Sequence, residues 1–493
     1  MNLPMTPLQI NRRAFLTGSG LSLGSAALSS LLAEDAGVTQ SRPRYLLPKA
    51  KAKRVIFLCM AGGPSHLETF DYKPKLDELN GKAMPESFTK GQPIAQLQGK
   101  ELKVQGHLTK FKQYGSGAQY VSDYLPWTAK MADDIAIVRS MVTEQINHDP
   151  AHTFMNTGTA ISGRPSMGSW VNYGLGSEAE DLPGFVVMTS VGGRNPQPIA
   201  SRQWSAGFLP SRFQGVEFNA TGDPVHYLRN PEGVSPGEQR KLVDAITSLD
   251  RHRNQAIRDP ETDTRIAAYE MAFRMQASVP ELMDVSREPQ HILDMYGAKP
   301  GDGSYASNCL LARKLAEKGV RFIHLYHRGW DHHGDLQKYM DTCCGLTDKP
   351  TWALIQDLKQ RGMLEDTLVI WGGEFGRTPM FQGKGGPGRD HHVKGFSMWM
   401  AGGGVKGGIG YGETDELGYH AVRDKVQVRD MHATMLHLLG INHQFFTVKH
   451  QGLDWKLTGW ITPRWSSPCL PNARENEARS SSLQEDQICF SYA

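Results

Sequence analysis

The sequence predicts an α/β fold built on a mostly parallel central sheet, and three observations carry that prediction. Strand-like apolar runs alternate with stretches of helical spacing from about residue 53 to 439, the pattern of parallel strands joined by crossover helices. Two of those runs, 321–327 and 367–373, lead directly into polar motifs, GWDHHGD at 329–335 and GGEFGR at 372–377. A third motif, GRDHH at 388–392, comes just before the run at 396–403. Ligands of open α/β sheets gather outside the carboxyl ends of the strands. A polar, metal-competent pocket is therefore expected at that edge.

Taken in chain order, residues 53–60 read as a buried first strand that ends in the turn Ala61-Gly62-Gly63-Pro64-Ser65-His66. A helix is expected near 125–131, a strand over 135–141 and another over 185–190. From 237 to about 286 charged and apolar residues mix at helical spacing with few breakers, which predicts a helical insertion. Residues 305–318 form a helix feeding the strand at 321, and 352–364 a helix before the strand at 367. The last helix, 429–439, carries Met431, Met435, Leu438 and Leu439 on its apolar side and stops at Gly440. No internal repeat is visible, so one catalytic-type domain over 37–465 is expected, followed by a polar tail at 466–493.

The first 36 residues read as a targeting segment. Asn11-Arg12-Arg13-Ala14-Phe15-Leu16 precedes an apolar stretch at 21–32 that is rich in Gly, Ser and Ala and too short to span a bilayer permanently. This resembles a twin-arginine export signal, with cleavage near Ala33 or Ala36. An ordinary amphipathic helix is the alternative, and the Gly and Ser content argues against it. A periplasmic or extracellular protein with no permanent membrane span after signal removal is expected.

Charge excludes other classes. With 54 basic and 51 acidic residues, and no Lys/Arg run after the N-terminus, neither nucleic acid nor an anionic membrane surface is a predicted partner; a small-molecule or uncharged partner is. The six cysteines show no CxxC spacing, so a cysteine-held zinc or iron–sulfur centre is not expected. Cys469 and Cys489 bracket the tail and are able to pair in an oxidising compartment; the others are expected as buried thiols.

Singly, Asp331 and Glu374 would serve equally as helix caps, and His332 or His333 as turn residues. His324, alternating with apolar residues on a strand, reads as core or surface filler rather than as a ligand. Grouped, the acids and imidazoles favour a metal site, because such groups are costly to gather without a neutralising cation. Arg377 has two readings, a clamp for an anionic substrate or a partner of Glu374. Mixed nitrogen and oxygen donors suit zinc first, then manganese or iron, whereas calcium fits the many histidines less well. Asp335, Asp390 and Arg377 are candidates to support the ligands.

In order, GGPSHLETFDYKP at 62–74, HDPAHTFMNTG at 148–158, GWDHHGD, EFGRTP, GRDHH, AGGGVKGG and RDMHATMLHLLG resemble the DUF1501 family, a sulfatase-like branch of the alkaline phosphatase superfamily, over about 53–460. The resemblance implies an alkaline-phosphatase-like three-layer sandwich and a divalent-metal site at the strand ends. Asp331 and His333 resemble an Asp-x-x-x-His ligand pair with shorter spacing. Glu374 stands where an Asp-His pair begins, with Phe375 in the His place, and His391 or His392 resembles the last ligand.

His148 occupies the place of the sulfatase nucleophile and His152 that of the activating Arg. The resemblance thus implies His148, Asp331, His333, Glu374, His391 and His392 as metal ligands and His148, His152 and Arg377 as catalytic groups. The first-strand Asp is replaced by Ala61-Gly62-Gly63, with Ser65, His66, Glu68 or Asp71 as stand-ins. The expected function is an exported metal-dependent hydrolase of phosphate or sulfate esters, including those on carbohydrates, using metal-activated water or an atypical histidine-based site. The alternatives are a catalytically inactive metal-binding protein and a cell-surface accessory protein that docks a partner through the helical insertion.

Overall fold

The structure is a computed structural model that describes residues 43–460 apart from 194–196, 220, 226–229, 231 and 384. The expected signal at 1–36 and the tail at 466–493, with Cys469 and Cys489, lie outside the described residues. Cys59, Cys309, Cys343 and Cys344 are buried free thiols. No described helix is long and apolar enough to cross a membrane.

The first strand shows how the sheet is built. β1 (Arg54–Met60) is buried at every position after the first, and its side chains alternate between two cores. Val55, Phe57 and Cys59 pack with Phe154, Trp170 and Met435 on one side, whereas Ile56, Leu58 and Met60 join the core that holds Leu310, Met340 and Leu354 on the other. A strand buried on both faces must be apolar throughout. The result is a three-layer α/β sandwich.

Eight further described strands complete the central sheet: β2 (Ile135–Val142), β3 (Phe185–Thr189), β4 (Val216–Phe218), β5 (Phe322–His327), β6 (Thr367–Gly372), β9 (Phe396–Ala401), β10 (Ile409–Tyr411) and β11 (Val426–Gln427). Their order is β10-β2-β9-β6-β1-β5-β3-β4, with β11 also paired to β2. β9 runs antiparallel to both neighbours, and the other pairings are parallel. Register places Met60 beside His327 and Cys59 beside Gly372. β1, β5 and β6 therefore end level, and the segments that leave them meet at one edge.

One helical layer holds α1 (His148–Thr157), α2 (Met167–Leu175) and α7 (Val428–Leu438); the other holds α5 (Tyr305–Glu317) and α6 (Leu336–Gln360). The expected insertion is two helices, α3 (Pro236–Ile257) and α4 (Pro260–Met283). The first starts at a capping box made by Ser235 and Glu238. Met275, Val279 and Leu282 tie α4 to the core, and Arg240 pairs with Glu270 at 2.9 Å between the two helices.

Two elements differ from the sequence reading. α6 begins at Leu336 rather than at 352, because it runs through Pro350, which lacks a donor and reads as a breaker. GRDHH is no simple lead-in to β9. It lies in a strand of its own, β8 (Pro387–His392), paired antiparallel with β7 (Gly376–Gly383) in a ribbon outside the main sheet.

Candidate metal centre

Four segments far apart in sequence converge beyond the strand ends. Asp331 and His333 leave β5, Glu374 leaves β6, His391 lies on β8, and His148 is the first residue of α1, which follows β2. Donor atoms of His148, Asp331, His333 and His391 all lie within 4.8 Å of one another, and so do those of His148, His152 and Glu374. Asp331 Oδ1 is the hub of the first group: it is 2.9 Å from His333 Nε2, 3.2 Å from His391 Nε2 and 3.3 Å from His148 Nε2. Ligands about 2 Å from one ion at tetrahedral angles stand about 3.3 Å apart. The observed separations match that edge length.

Hydrogen bonds on the far side of each ring fix which nitrogen faces the hub. His391 Nδ1 lies 2.8 Å from the carbonyl oxygen of Ile146, so Nδ1 carries the proton and donates. His333 Nδ1 lies 2.6 Å from Gln382 Oε1, and the Gln382 amide nitrogen donates to Gln96 Oε1 at 3.2 Å, which orients that amide. His148 Nδ1 lies 2.6 Å from Glu374 Oε1. All three rings thus turn Nε2 inward.

His333 Nε2 and His391 Nε2 are only 3.0 Å apart. With both Nδ1 atoms protonated, two lone pairs face each other beside a carboxylate oxygen, an arrangement that is repulsive unless a proton or a cation lies between them. His148 Nε2 is buried without a hydrogen-bond partner. Three imidazoles and one carboxylate fit a divalent cation, zinc first, by donor type and spacing. The Gln96 amide nitrogen, 3.2 Å from His333 Nε2, donates to the same lone pair and must yield to such an ion.

Charge around the hub is strongly organised. Burial raises the Asp331 carboxyl, but the Arg377 guanidinium and then the three imidazoles hold it far below the usual carboxylate range. Burial likewise works against Glu374, yet His152 and His148 hold it down at about 2. Burial disfavours the His148 cation, and its two carboxylate neighbours outweigh that and raise its pKa. Burial lowers His391 to about 4, helped by Arg377 and opposed by Asp331. The negative charge that holds a proton on His148 would equally attract a metal ion.

Arg377 is fully buried. It donates to Asp331 Oδ1 at 2.6 Å, to the carbonyls of Gly63 at 2.9 Å and Arg389 at 3.1 Å, and to that of Gly62. It forms an ion pair with Asp331, rather than with Glu374 or an open substrate site. Asp390 accepts from the backbone of Gln96 and Leu97 at 2.6 and 3.0 Å and so ties the ribbon to that loop. Asp335 sits at the start of α6 in a left-handed conformation.

His392 is not brought to the hub. Neighbouring side chains on a strand point to opposite faces; His391 faces Asp331, and His392 turns away to the carbonyl of Tyr419. None of the four stand-ins for the first-strand Asp belongs to either donor group. Glu68 pairs with Arg389 at 2.7 Å, Ser65 donates to Glu68, His66 Nε2 meets the carbonyl of Gly418 at 2.9 Å, and Asp71 pairs with Lys73 at 3.1 Å.

The turn after β1 meets the site through its backbone instead. The Gly62 N–H reaches both oxygens of Glu374, at 3.0 and 3.1 Å. Gly62 has φ +123°, and a Cβ there would lie 2.4 Å from the Asp331 nitrogen, so only glycine fits. Gln382 and the Ile146 carbonyl are the groups that the sequence reading did not single out. The second is a backbone atom, which no residue type announces.

Among curated proteins, none matches this chain. Among solved structures it is similar to the lipoteichoic acid synthase LtaP from Listeria monocytogenes, at 11% identity and TM-score 0.35, covering 87% of this chain and 80% of that one. It is also similar to the PsFucS1 sulfatase from Pseudoalteromonas sp., at 13% identity and TM-score 0.31 over 85% and 71% of the two chains. A third is the alkaline phosphatase from the Antarctic bacterium TAB5, at 9% identity and TM-score 0.28 over 80% and 99%. Residues 52–464 match the family described as protein of unknown function, DUF1501. With most of its length inside that match, this chain belongs to the DUF1501 family.

Proposed function

We propose that this protein is an exported, metal-dependent hydrolase of phosphate or sulfate esters, with esters carried on carbohydrates as the first substrates to test. The observation that carries this reading is the convergence of three imidazole Nε2 atoms on Asp331 Oδ1 at the carboxyl ends of β5 and β6. His148, Asp331, His333 and His391 would hold the ion, zinc first and manganese or iron next. When bound, a divalent cation supplies Lewis acidity, drawing charge from an ester oxygen and making a nearby water more acidic.

The chain's own groups prepare that chemistry. Arg377 keeps Asp331 ionised, and the Nδ1 acceptors keep the imidazoles turned inward. The motif order and the twin-arginine segment support an exported esterase-type hydrolase on one domain at 37–465. A non-catalytic metal-binding protein is the second reading, favoured by a specific observation: His148 stands where a hydroxyl or thiol nucleophile is expected.

The test is turnover of aryl phosphates, aryl sulfates and sulfated oligosaccharides by metal-loaded protein, repeated after chelation and with Asp331→Asn and His148→Ala. Turnover that falls by more than about 100-fold in each case is expected. A metal-loaded, folded protein that turns over none of these esters selects the second reading.

A further inference from the structure

Glu374 was expected as a ligand, yet its surroundings fit a different task. It is fully buried, accepts the Gly62 N–H at both oxygens, and presents Oε1 to His148 Nδ1 at 2.6 Å. Oε1, the oxygen that faces His148, is thus engaged by a backbone N–H and an imidazole N–H, and Oε2 shares that backbone N–H. It also lies on the Nδ1 side of the His148 ring, opposite the edge where Asp331, His333 and His391 gather. The other two rings are held in the same manner, through Nδ1 to Gln382 Oε1 at 2.6 Å and through Nδ1 to the Ile146 carbonyl at 2.8 Å.

We infer that Glu374 is a positioning residue: it accepts the Nδ1 proton of His148 and so presents Nε2 to a single cation shared with His333, His391 and Asp331. This deepens the reading above and rests on its cation site, though not on turnover. The competing arrangement uses the same residues differently. His148 Nδ1, His152 and Glu374 form the second donor group, and His152 is fully buried with no hydrogen-bond partner at either nitrogen. A second ion there would require His148 to give up both ring protons and serve two ions at once.

Cobalt(II) added to the full chain separates the two arrangements, because its visible absorption reports the ligand set. The expected result is one Co²⁺ per chain in the unsubstituted protein, in Glu374→Gln and in His152→Ala, with the absorption bands in the same positions. Glu374→Gln should bind Co²⁺ roughly 10- to 100-fold more weakly. Two Co²⁺ per chain, or a displaced band in either variant, would overturn the inference. Should Glu374→Gln fail to fold, the stoichiometry of the unsubstituted protein and the His152→Ala spectrum decide the matter. Absence of any bound Co²⁺ overturns this inference together with the metal reading, whereas one bound Co²⁺ without ester turnover overturns only the proposed function.

Discussion

At the scale of single residues, the candidate centre depends on which ring nitrogen faces inward, and three acceptors on the outer side decide that. Gln382 is the most accessible to test. Replacing it with Leu removes the Nδ1 acceptor of His333 while keeping most of the volume, and metal affinity should fall roughly 10- to 100-fold, measured by competition with a chromophoric chelator. An unchanged affinity would mean that the amide does not orient the ring. Gly62→Ala acts through the backbone instead. A methyl group 2.4 Å from the Asp331 nitrogen, at φ +123°, should cost on the order of 3 kcal/mol in chemical denaturation.

Asp331, His333 and His391 are legible in the sequence because acids and imidazoles cluster right beside strand-like runs. Gln382 is not, since nothing in a lone glutamine marks it. Choosing between His391 and His392 needs the strand itself, because its two-residue period sends one ring to the hub and the other to Tyr419.

At the scale of elements, the β7–β8 ribbon brings His391 to the sheet edge, and a buried ion pair anchors it. Arg389 and Glu68 are both fully buried, joined at 2.7 and 2.9 Å, and Arg389 also donates to the carbonyl of Gly106 at 2.9 Å. Arg389→Met leaves the Glu68 charge buried alone and should cost about 3–5 kcal/mol. The double substitution with Glu68→Met should cost less than Arg389→Met alone, and a larger cost would contradict the ion-pair account. The ribbon escaped the sequence reading because its strands, GRTPMFQG and PGRDHH, carry Gly, Pro and charged residues without the apolar alternation that marks a sheet strand.

α6 carries a second anchor. Asp348 is buried and accepts from the Trp127 and Thr128 backbone at 2.7 and 2.8 Å. Burial raises its carboxyl from 3.8 to about 6, against those hydrogen bonds. A folded pKa above the unfolded one gives stability that is complete below about pH 4 and lost as pH rises through 6. Compared with Asp348→Asn, the unsubstituted protein should therefore gain up to about 3 kcal/mol between pH 7 and pH 4. A gap between the two proteins that stays constant with pH would contradict this assignment.

At the scale of the whole molecule, the level ends of β1, β5 and β6 turn a sheet into a site. The sheet was predictable because strands buried on both faces must be continuously apolar, and that pattern survives in the sequence. The pairing of the Gly62 N–H with Glu374 in particular was not, because it depends on the approach of two loops. A cation that binds only the folded chain stabilises all of it, by about 2.7 kcal/mol at a free concentration 100-fold above Kd. Calorimetry with and without zinc should show that gain, and His391→Ala should abolish it. The central claim is that residues around 148, 331, 333 and 391 share one ion. Anomalous diffraction at the zinc edge tests this most directly: a single peak bonded to the three Nε2 atoms and Asp331 is predicted, and a peak bonded to other residues, or none in zinc-soaked crystals, would contradict it.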